Sequence, residues 1–320
     1  MPLSIKKAVV LFVLFVFAAS FAFSAGQAEE TPDEPTLVRF VEVGWLDIEA
    51  TTAMTRLVLE SLGYETTSDV VSVPVAYQAL ASGDADVFLG NWMPSMASIS
   101  DPYTEEGTVE TVTDNLQGAK YTLAVPQYVH DAGVTSVADL ADHEEEFGGE
   151  IYGIEAGNDG NLLIQQMIDE DAFGLGGWEL VESSEAGMLS EVGSRTRNDQ
   201  WIVFLGWEPH PMNTVYDIDY LADADDYFGP DYGAATVYTN VRAGYTEEAP
   251  NIGRFLENLQ FNLDMENKLM SMIDGGMSGE DAAREWLQEN PAVLDEWLDG
   301  VNAVDGSNGL ATVRAALGID

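Results

Sequence analysis

The segment DVFLGNWMPSM (Asp86–Met96) and the segment WIVFLGWEPH (Trp201–His210) share one pattern, in which a short apolar run is followed by glycine and a tryptophan. Short apolar runs that end at turn residues are typical of buried strands. Polar residues are expected where such a strand ends, yet Trp92 and Trp207 stand there instead. The sequence therefore predicts two strands that each end in an indole, and this unusual position needs an explanation.

Strand-like and helix-like segments alternate around both tryptophans. A β-α-β-α-β order leads up to Trp92, and a second unit of the same order leads up to Trp207. Such alternation predicts an α/β protein with a mostly parallel sheet and helices on its faces, and two units in tandem suggest two lobes. The last third, from AATVYTNVRAG (Ala234–Gly244) onwards, is chiefly helical, and Pro291 is expected to divide its long amphipathic segment into two helices.

The first thirty residues have a different composition. Lys6 and Lys7 precede the apolar run Ala8–Phe23, and the small residues of SAGQA (Ser24–Ala28) follow. This order predicts a secretory signal peptide over approximately residues 1–25, with a permanent membrane anchor as the alternative. The chain contains no cysteine, so neither a disulfide nor the lipid anchor of bacterial lipoproteins is expected. We therefore expect a periplasmic protein that is exported, cleaved and not lipidated.

The chain is strongly acidic, with 12 basic and 56 acidic residues and a formal net charge of −44. This charge argues against nucleic acid and anionic membranes as partners. One interpretation is that the surface attracts cations; the other is that the acidity keeps an exported protein soluble in saline surroundings. The second is favoured because salt screens exposed charges beyond about 10 Å at about 0.1 M.

Residues with catalytic or metal-binding chemistry form no familiar motif. The three histidines, His130, His143 and His210, are far apart, and DHEEEF around His143 is typical of a solvated acidic surface. The sequence contains no HExxH, no phosphate-binding loop and no GxSxG. These features favour a binding protein over an enzyme, and we expect no metal and no cofactor.

Aromatic residues at the strand ends offer a specific binding chemistry. Ligands of open α/β sheets bind beyond the carboxyl ends of the strands, where Trp45, Trp92 and Trp207 fall, and Tyr121 opens the second unit. Converging ring faces form a cage for a quaternary ammonium group, with each ring contributing up to about 2 kcal/mol. Four rings would approach the roughly 8 kcal/mol of micromolar binding. Core packing is the alternative for each tryptophan, and it is preferred for Trp178, Trp201, Trp286 and Trp297.

Two polar residues stand beside these aromatic positions, and each has two interpretations. Asp47 follows Trp45 at the start of a helix, so it either caps that helix or contacts the ligand as a carboxylate. Asn158, in AGNDGN, either serves as a turn or cap residue or forms a hydrogen bond to the polar end of the ligand.

At these residues the chain resembles the substrate-binding proteins of ABC transporters for glycine betaine and choline, most closely the choline-binding type. The resemblance covers essentially the whole chain after the leader, in the segments GWLDIEATTA, DADVFLGNWMPSM, GAKYTLAVP, YGIEAGNDGN, VFLGWEPHPMN and AREWLQENPAVLDEWL. It implies a bilobed type II periplasmic-binding-protein fold with a ligand cleft between two α/β lobes. Lobe I would comprise residues 29–120 and 234–320, and lobe II residues 121–233.

The resemblance also implies a site and a function. Trp45, Trp92, Tyr121 and Trp207 would surround the trimethylammonium group of choline, while Asp47 and Asn158 would hold its hydroxyl. The protein would deliver choline to an ABC permease with its cytoplasmic ATPase, and we expect a monomer.

Glycine betaine is the alternative ligand. Its carboxylate would be repelled by Asp47 unless a cation or several N–H donors intervened, and the candidates for that cation are Lys120, Arg195 and Arg197. An exported enzyme that acts on a choline ester, or a structural surface protein whose aromatic residues are simply core, are the remaining classes.

Overall fold

Nine strands join in a single sheet within residues 34–319, the part of the chain that this computed structural model describes. The predicted signal peptide, residues 1–25, lies outside the described residues. The strands are β1 (Leu37–Glu42), β2 (Glu65–Val70), β3 (Val87–Met93), β4 (Val109–Pro126), β5 (Glu150–Tyr152), β6 (Glu179–Val181), β7 (Phe204–Glu208), β8 (Ile218–Tyr220) and β9 (Ala234–Arg242).

Sixteen α-helical segments accompany the strands in the same described range. They are α1 (Leu46–Ser61), α2 (Val73–Ser82), α3 (Ala97–Glu105), α4 (Gln127–Asp131), α5 (Glu144–Phe147), α6 (Asp159–Asp169), α7 (Glu185–Thr196), α8 (Met212–Val215), α9 (Asp225–Phe228), α10 (Pro230–Gly233), α11 (Tyr245–Glu248), α12 (Pro250–Asn258), α13 (Leu263–Asp274), α14 (Gly279–Glu289), α15 (Val293–Trp297) and α16 (Gly309–Leu317). Between residues 34 and 319 no helix has both the length and the apolar composition that a bilayer span requires.

The sheet has two parallel ends and an antiparallel centre. Its order is β2-β1-β3-β9-β4-β7-β5-β6, with β8 beside β4. Strands β2, β1 and β3 are parallel to one another, as are β6, β5 and β7. Strands β9 and β4 run antiparallel to each other and to their outer neighbours. The two predicted α/β units are the two ends of the sheet, and the expectation of a mostly parallel sheet is wrong for its centre.

Strand β4 explains this difference. The sequence predicts a strand over AKYTLAVP alone, whereas β4 begins ten residues earlier and is 18 residues long. Its first part is rich in polar residues and pairs with β9 through several register shifts. This polar, irregular segment lacks the alternating apolar pattern by which a strand is predicted from sequence. It is extended because it pairs with the distant strand β9.

Strand β4 changes its pairing partner at Lys120. This residue pairs with Ala234 of β9 and also with Glu208 of β7, which marks the transition from one neighbour to the other. Gly233 precedes β9 with φ of +69°, and a Cβ atom there would lie 1.9 Å from the carbonyl oxygen of Tyr121. Glycine is therefore required at position 233, because any side chain would clash with the backbone of β4.

Helical periodicity in the sequence correctly predicted the buried face of α1. The apolar positions that the sequence places on one side of α1, Met54, Leu57, Val58 and Leu62, are all at most 3% exposed. The chain leaves α14 at Glu289 and enters α15 at Val293, so the expected division at Pro291 is confirmed. Trp297 is 1% exposed and donates its indole hydrogen to the carbonyl of Gln260 at 3.1 Å, which confirms its core role.

Candidate functional site

A cavity of about 20 Å³ lies where strands from both ends of the sheet terminate. A volume of this size holds about one water molecule, so the walls must move apart to admit a larger ligand. It is lined by Trp45, Asp47, Trp92, Tyr121, Ile154, Asn158, Asp159 and Trp207. The structure thus brings together all six residues that the sequence predicts for the site, and it adds Ile154 and Asp159.

Tyr121 is the centre of the aromatic wall. Its ring centroid lies 6.1 Å from that of Trp92 and 6.2 Å from that of Trp207, with tilted or edge-on geometry. Phe228 packs edge-on behind it at 5.8 Å. Tyr121 and Trp207 are direct neighbours across the β4–β7 pair, so the sheet itself sets their spacing. The indoles at the strand ends are therefore buried around a shared cavity, which accounts for their unusual position in the sequence.

The two tryptophans from the first part of the chain are fixed by carboxylates. The indole Nε1–H of Trp92 donates to Asp47 Oδ2 at 3.2 Å, and that of Trp45 donates to Glu155 Oε1 at 2.9 Å. Trp45 is 7% exposed and Trp92 is 4% exposed. Because their only polar atoms are already bonded, both indoles contribute apolar ring surface to the cavity.

Asp47 does not cap α1. The N-cap position is Trp45, and no side chain of its own segment caps this helix. Asp47 is 5% exposed; its Oδ2 accepts the Trp92 hydrogen bond, and its Oδ1 is buried with no hydrogen-bond partner within residues 34–319. Burial raises the pKa of Asp47 to about 7, and the negative charge of Glu185 adds to this effect.

Asn158 has the first of the two roles that the sequence left open, that of a cap residue. Its Oδ1 accepts from the backbone N–H of Asn161 at 3.2 Å, which caps α6, and from the hydroxyl of Tyr121 at 2.9 Å. The hydroxyl reaches this position because residue 160 is glycine: a Cβ atom there would lie 2.1 Å from the Tyr121 oxygen. The cap role is therefore confirmed, and the same side chain also lines the cavity.

Asp159 is a cavity residue that sequence reasoning missed. It is 1% exposed, its Oδ1 accepts from Asn158 Nδ2 at 3.0 Å, and its Oδ2 has no partner in the described part of the chain. Burial raises the pKa of Asp159 to about 6. The only sequence signal was its place after Asn158, where an acidic residue is ordinary in the first turn of a helix.

The charge balance of the cavity favours a cation. Two carboxyl groups, each with one unpartnered oxygen, line it, and none of its eight lining residues is basic. Of the basic residues considered as compensating cations, Lys120 pairs with Glu208 at 3.4 Å and Arg195 pairs with Glu191 at 2.7 Å, and Arg197 does not line the cavity. Buried carboxylates without a partner are costly, and a bound cation would relieve that cost.

The three histidines lie apart in the structure. The partners of His130, His143 and His210 are Asp219, Glu146 and Glu185, respectively. Within the described residues no group of three or more potential metal ligands occurs.

Solved structures of known proteins share this architecture. An ABC-transporter choline-binding protein in complex with choline matches with a TM-score of 0.87 and 53% identity, over 88% of this chain and 98% of that one. A lactococcal OpuAC in complex with glycine betaine matches with a TM-score of 0.75 and 27% identity, over 82% of this chain and 99% of that one. The predicted bilobed α/β fold of the periplasmic binding proteins is thus confirmed.

Sequence relatives agree with the structural matches. The uncharacterised protein ORF1 of Chromohalobacter salexigens is 67% identical over 130 residues, which are 41% of this chain and 84% of that protein. The glycine betaine/carnitine transport binding protein GbuC of Listeria monocytogenes is 32% identical over 162 residues, 51% of this chain and 53% of GbuC. The family model of the substrate-binding domain of ABC-type glycine betaine transport systems, OpuAC, matches residues 36–289. The chain therefore belongs to the OpuAC family of ABC-transporter substrate-binding proteins.

Proposed function

We propose that this protein binds choline in the aromatic cavity and delivers it to the permease of an ABC importer. The observation that carries the proposal is the combination of four buried aromatic side chains with two carboxyl groups that each have an unpartnered oxygen. A quaternary ammonium group cannot donate a hydrogen bond, so π faces and nearby negative charge are the interactions that can hold it.

The polar end of choline would be held by the residues beside the aromatic wall. Asp47 Oδ1 has no protein partner and can accept a hydrogen bond from the choline hydroxyl. Asn158 uses one amide hydrogen for Asp159, and its second amide hydrogen can donate to the same hydroxyl. Ionised Asp47 and Asp159 would compensate the ammonium charge.

Glycine betaine is the second candidate ligand. Its carboxylate would meet two acidic groups in a cavity whose lining residues include no Lys or Arg. A specific observation nevertheless favours it in part: the raised pKa values of Asp47 and Asp159, about 7 and about 6, would let a protonated carboxyl donate to the betaine carboxylate. Choline needs no such protonation, and it is therefore the ligand that we favour at neutral pH.

The lobes that would close on the ligand divide near the crossing of β4 and β9. We infer lobe I to comprise residues 29–120 and 234–320 and lobe II residues 121–233, because β4 exchanges β9 for β7 at Lys120. Trp45, Asp47 and Trp92 then belong to one lobe, and Tyr121, Asn158 and Trp207 to the other. Hinge closure would bring the two sets of side chains together around the ligand.

The first residues, which resemble a signal peptide, and the family together indicate the cellular location of the protein. We infer an exported, cleaved and unlipidated monomer that works in the periplasm with an ABC permease and its ATPase. Nucleic acid is not a partner, and no catalysis is proposed.

Calorimetric titration of the mature protein with choline and with glycine betaine tests the proposal. Choline should bind saturably with an affinity at least about tenfold higher than that of betaine at pH 7.5, and acetylcholine should not be hydrolysed. Trp92→Ala should abolish binding while the thermal unfolding transition is retained. Trp297→Ala, which removes a core indole, should lower thermal stability instead. Absence of choline binding, or product formation from acetylcholine, would contradict the proposal.

A further inference from the structure

The link between β1 and α1 lies beside the cavity and leads into a helix whose own N-cap residue has no capping side chain. Helix α1 has 16 residues, yet its N-cap is Trp45, which has no oxygen or nitrogen acceptor in its side chain. Serine, threonine, aspartate or asparagine normally accepts a hydrogen bond from the first free N–H groups of a helix. At α1 the backbone N–H of Leu46 donates instead to Oε2 of Glu185, at 3.3 Å. The cap is thus supplied by a residue 139 positions away in the chain.

Glu185 is itself buried and has a second hydrogen-bond partner. It is the first residue of α7, it is 8% exposed, and its Oε1 lies 3.1 Å from His210 Nε2. His210 Nδ1 accepts from the backbone N–H of Met212 at 3.0 Å, so the neutral ring carries its hydrogen on Nε2 and donates it to Glu185. The Glu185 carboxylate therefore accepts from two donors, one at each oxygen. His210 also packs against the indole of Trp207 at 5.0 Å between ring centroids.

A second glutamate holds the neighbouring residue. Glu155 Oε1 accepts from the indole N–H of Trp45 at 2.9 Å. Glu155 and Glu185 both come from the part of the chain between β4 and β9, whereas Trp45 and Leu46 precede β2. Neither glutamate lines the cavity. Glu155 can therefore hold Trp45, and Glu185 can hold Leu46, without touching a ligand.

We propose that Glu155 and Glu185 form a clamp that fixes the Trp45–Leu46 link across the cleft and slows release of the ligand. The inference rests on the proposed function, since it requires that the lobes close on a bound molecule. Opening of the cleft would break both bonds, expose the end of α1 and release the indole of Trp45. The two glutamates are positioning residues, and their effect is on the lifetime of the closed state.

Release of radiolabelled choline into excess unlabelled choline measures this effect. Glutamine at position 155 keeps an oxygen that can accept from the single indole donor, so Glu155→Gln should release choline within about twofold of the wild-type rate. Glu155→Leu has no acceptor and should release it about tenfold faster. At position 185 two donors need two acceptors, so Glu185→Gln should already release choline about tenfold faster.

The difference in release rate between Glu155→Gln and Glu185→Gln distinguishes the clamp from a simple attraction between choline and negative charge. Both variants remove one negative charge, and Glu145→Gln removes one from an exposed position as the matched control. Equal release rates for Glu155→Gln and Glu185→Gln, or a wild-type rate for Glu185→Gln, would overturn the clamp. Wild-type protein that fails to retain choline would instead overturn the proposed function, and with it the premise of the clamp. Unfolding temperatures of the ligand-free variants within a few degrees of wild type show that release, not folding, has changed.

Discussion

Acidic residues occupy two contrasting regions of this protein, the cavity and the short helix α5. Asp47 and Asp159 line the cavity and are at most 5% exposed, and each has one oxygen without a partner in the described residues. Glu144, Glu145 and Glu146 in α5 are all exposed, as the sequence predicts for DHEEEF. Residue type and net charge are similar in the two regions, so the contrast isolates the effect of burial.

Burial decides whether a carboxylate of this protein contributes to a binding site. An exposed carboxylate is hydrated and screened by salt, so its removal changes the net charge and little else. A buried one loses hydration, and its pKa rises, as it does for Asp47. The unpaired buried group then favours any cation that fits beside it. We expect the number of acidic residues to matter for solubility and the two cavity carboxyls to matter for binding.

The largest expected effect comes from the removal of the cavity charge at Asp47. Asp47→Asn keeps the size of the side chain and an oxygen acceptor for Trp92, but it removes the charge that would face the ammonium group. Choline affinity should fall about 100-fold or more, as in the breaking of a buried ion pair. Betaine affinity should fall less or rise. Calorimetric titration of both ligands measures this difference, and an equal loss for both would remove Asp47 from ligand selection.

A large effect is also expected from pH. The pKa of Asp47 is about 7 because the group is buried, and a bound cation would favour the ionised form and lower that pKa. Below pH 7 choline must therefore displace a proton, and its affinity should fall by up to about tenfold per pH unit. Betaine affinity should hold or rise over the same range. Titrations between pH 8 and pH 5.5 in buffers of different ionisation enthalpy give both the affinity and the number of protons released.

A smaller effect is expected at Asp159, the carboxyl that sequence reasoning missed. Asp159→Asn should weaken choline binding about tenfold, less than the change at Asp47, because Asp159 would contribute only its charge, whereas Asp47 would also accept a hydrogen bond from the choline hydroxyl. The helix cap provided by Asn158 does not depend on this charge, so the unfolding temperature should hold. Calorimetry with thermal unfolding checks both statements, and an unchanged affinity would show that Asp47 alone compensates the ligand charge.

The smallest effect is expected at the exposed glutamates. Combined Glu144→Gln, Glu145→Gln and Glu146→Gln removes three negative charges, yet choline affinity should stay within about twofold. Each substitution should change the free energy of unfolding by about 0.5 kcal/mol or less. If this triple variant binds choline more weakly than wild type at low salt but equally well at high salt, the long-range surface field contributes to binding after all.

Local patterns explain why much of the fold and site could be predicted. The helical spacing in α1 and the apolar runs of β3 and β7 depend on neighbouring residues, so the two α/β units were readable from sequence. The position of the cavity could be predicted from the topology, because ligands of open α/β sheets bind beyond the carboxyl ends of the strands. Trp45, Trp92 and Trp207 could therefore be predicted to lie at one site.

The roles of individual polar groups could not be predicted in the same way. Asp47 at the start of a helix was compatible with a cap, and only the contact with Trp92 shows that its carboxylate is used elsewhere. Glu185 and His210 carried no sequence signal, because their importance depends on a hydrogen bond to Leu46 from a distant segment.

The sequence by itself determined the alternation of strands and helices, the aromatic strand ends and the acidic composition, because each of these is a property of short segments or of the whole count. Only the tertiary structure decided the antiparallel centre of the sheet, the burial of Asp159 and the cap that Glu185 supplies to α1. The physical reason is that burial, pKa and hydrogen-bond partners depend on what distant segments bring to a point in space, and no local pattern encodes those neighbours.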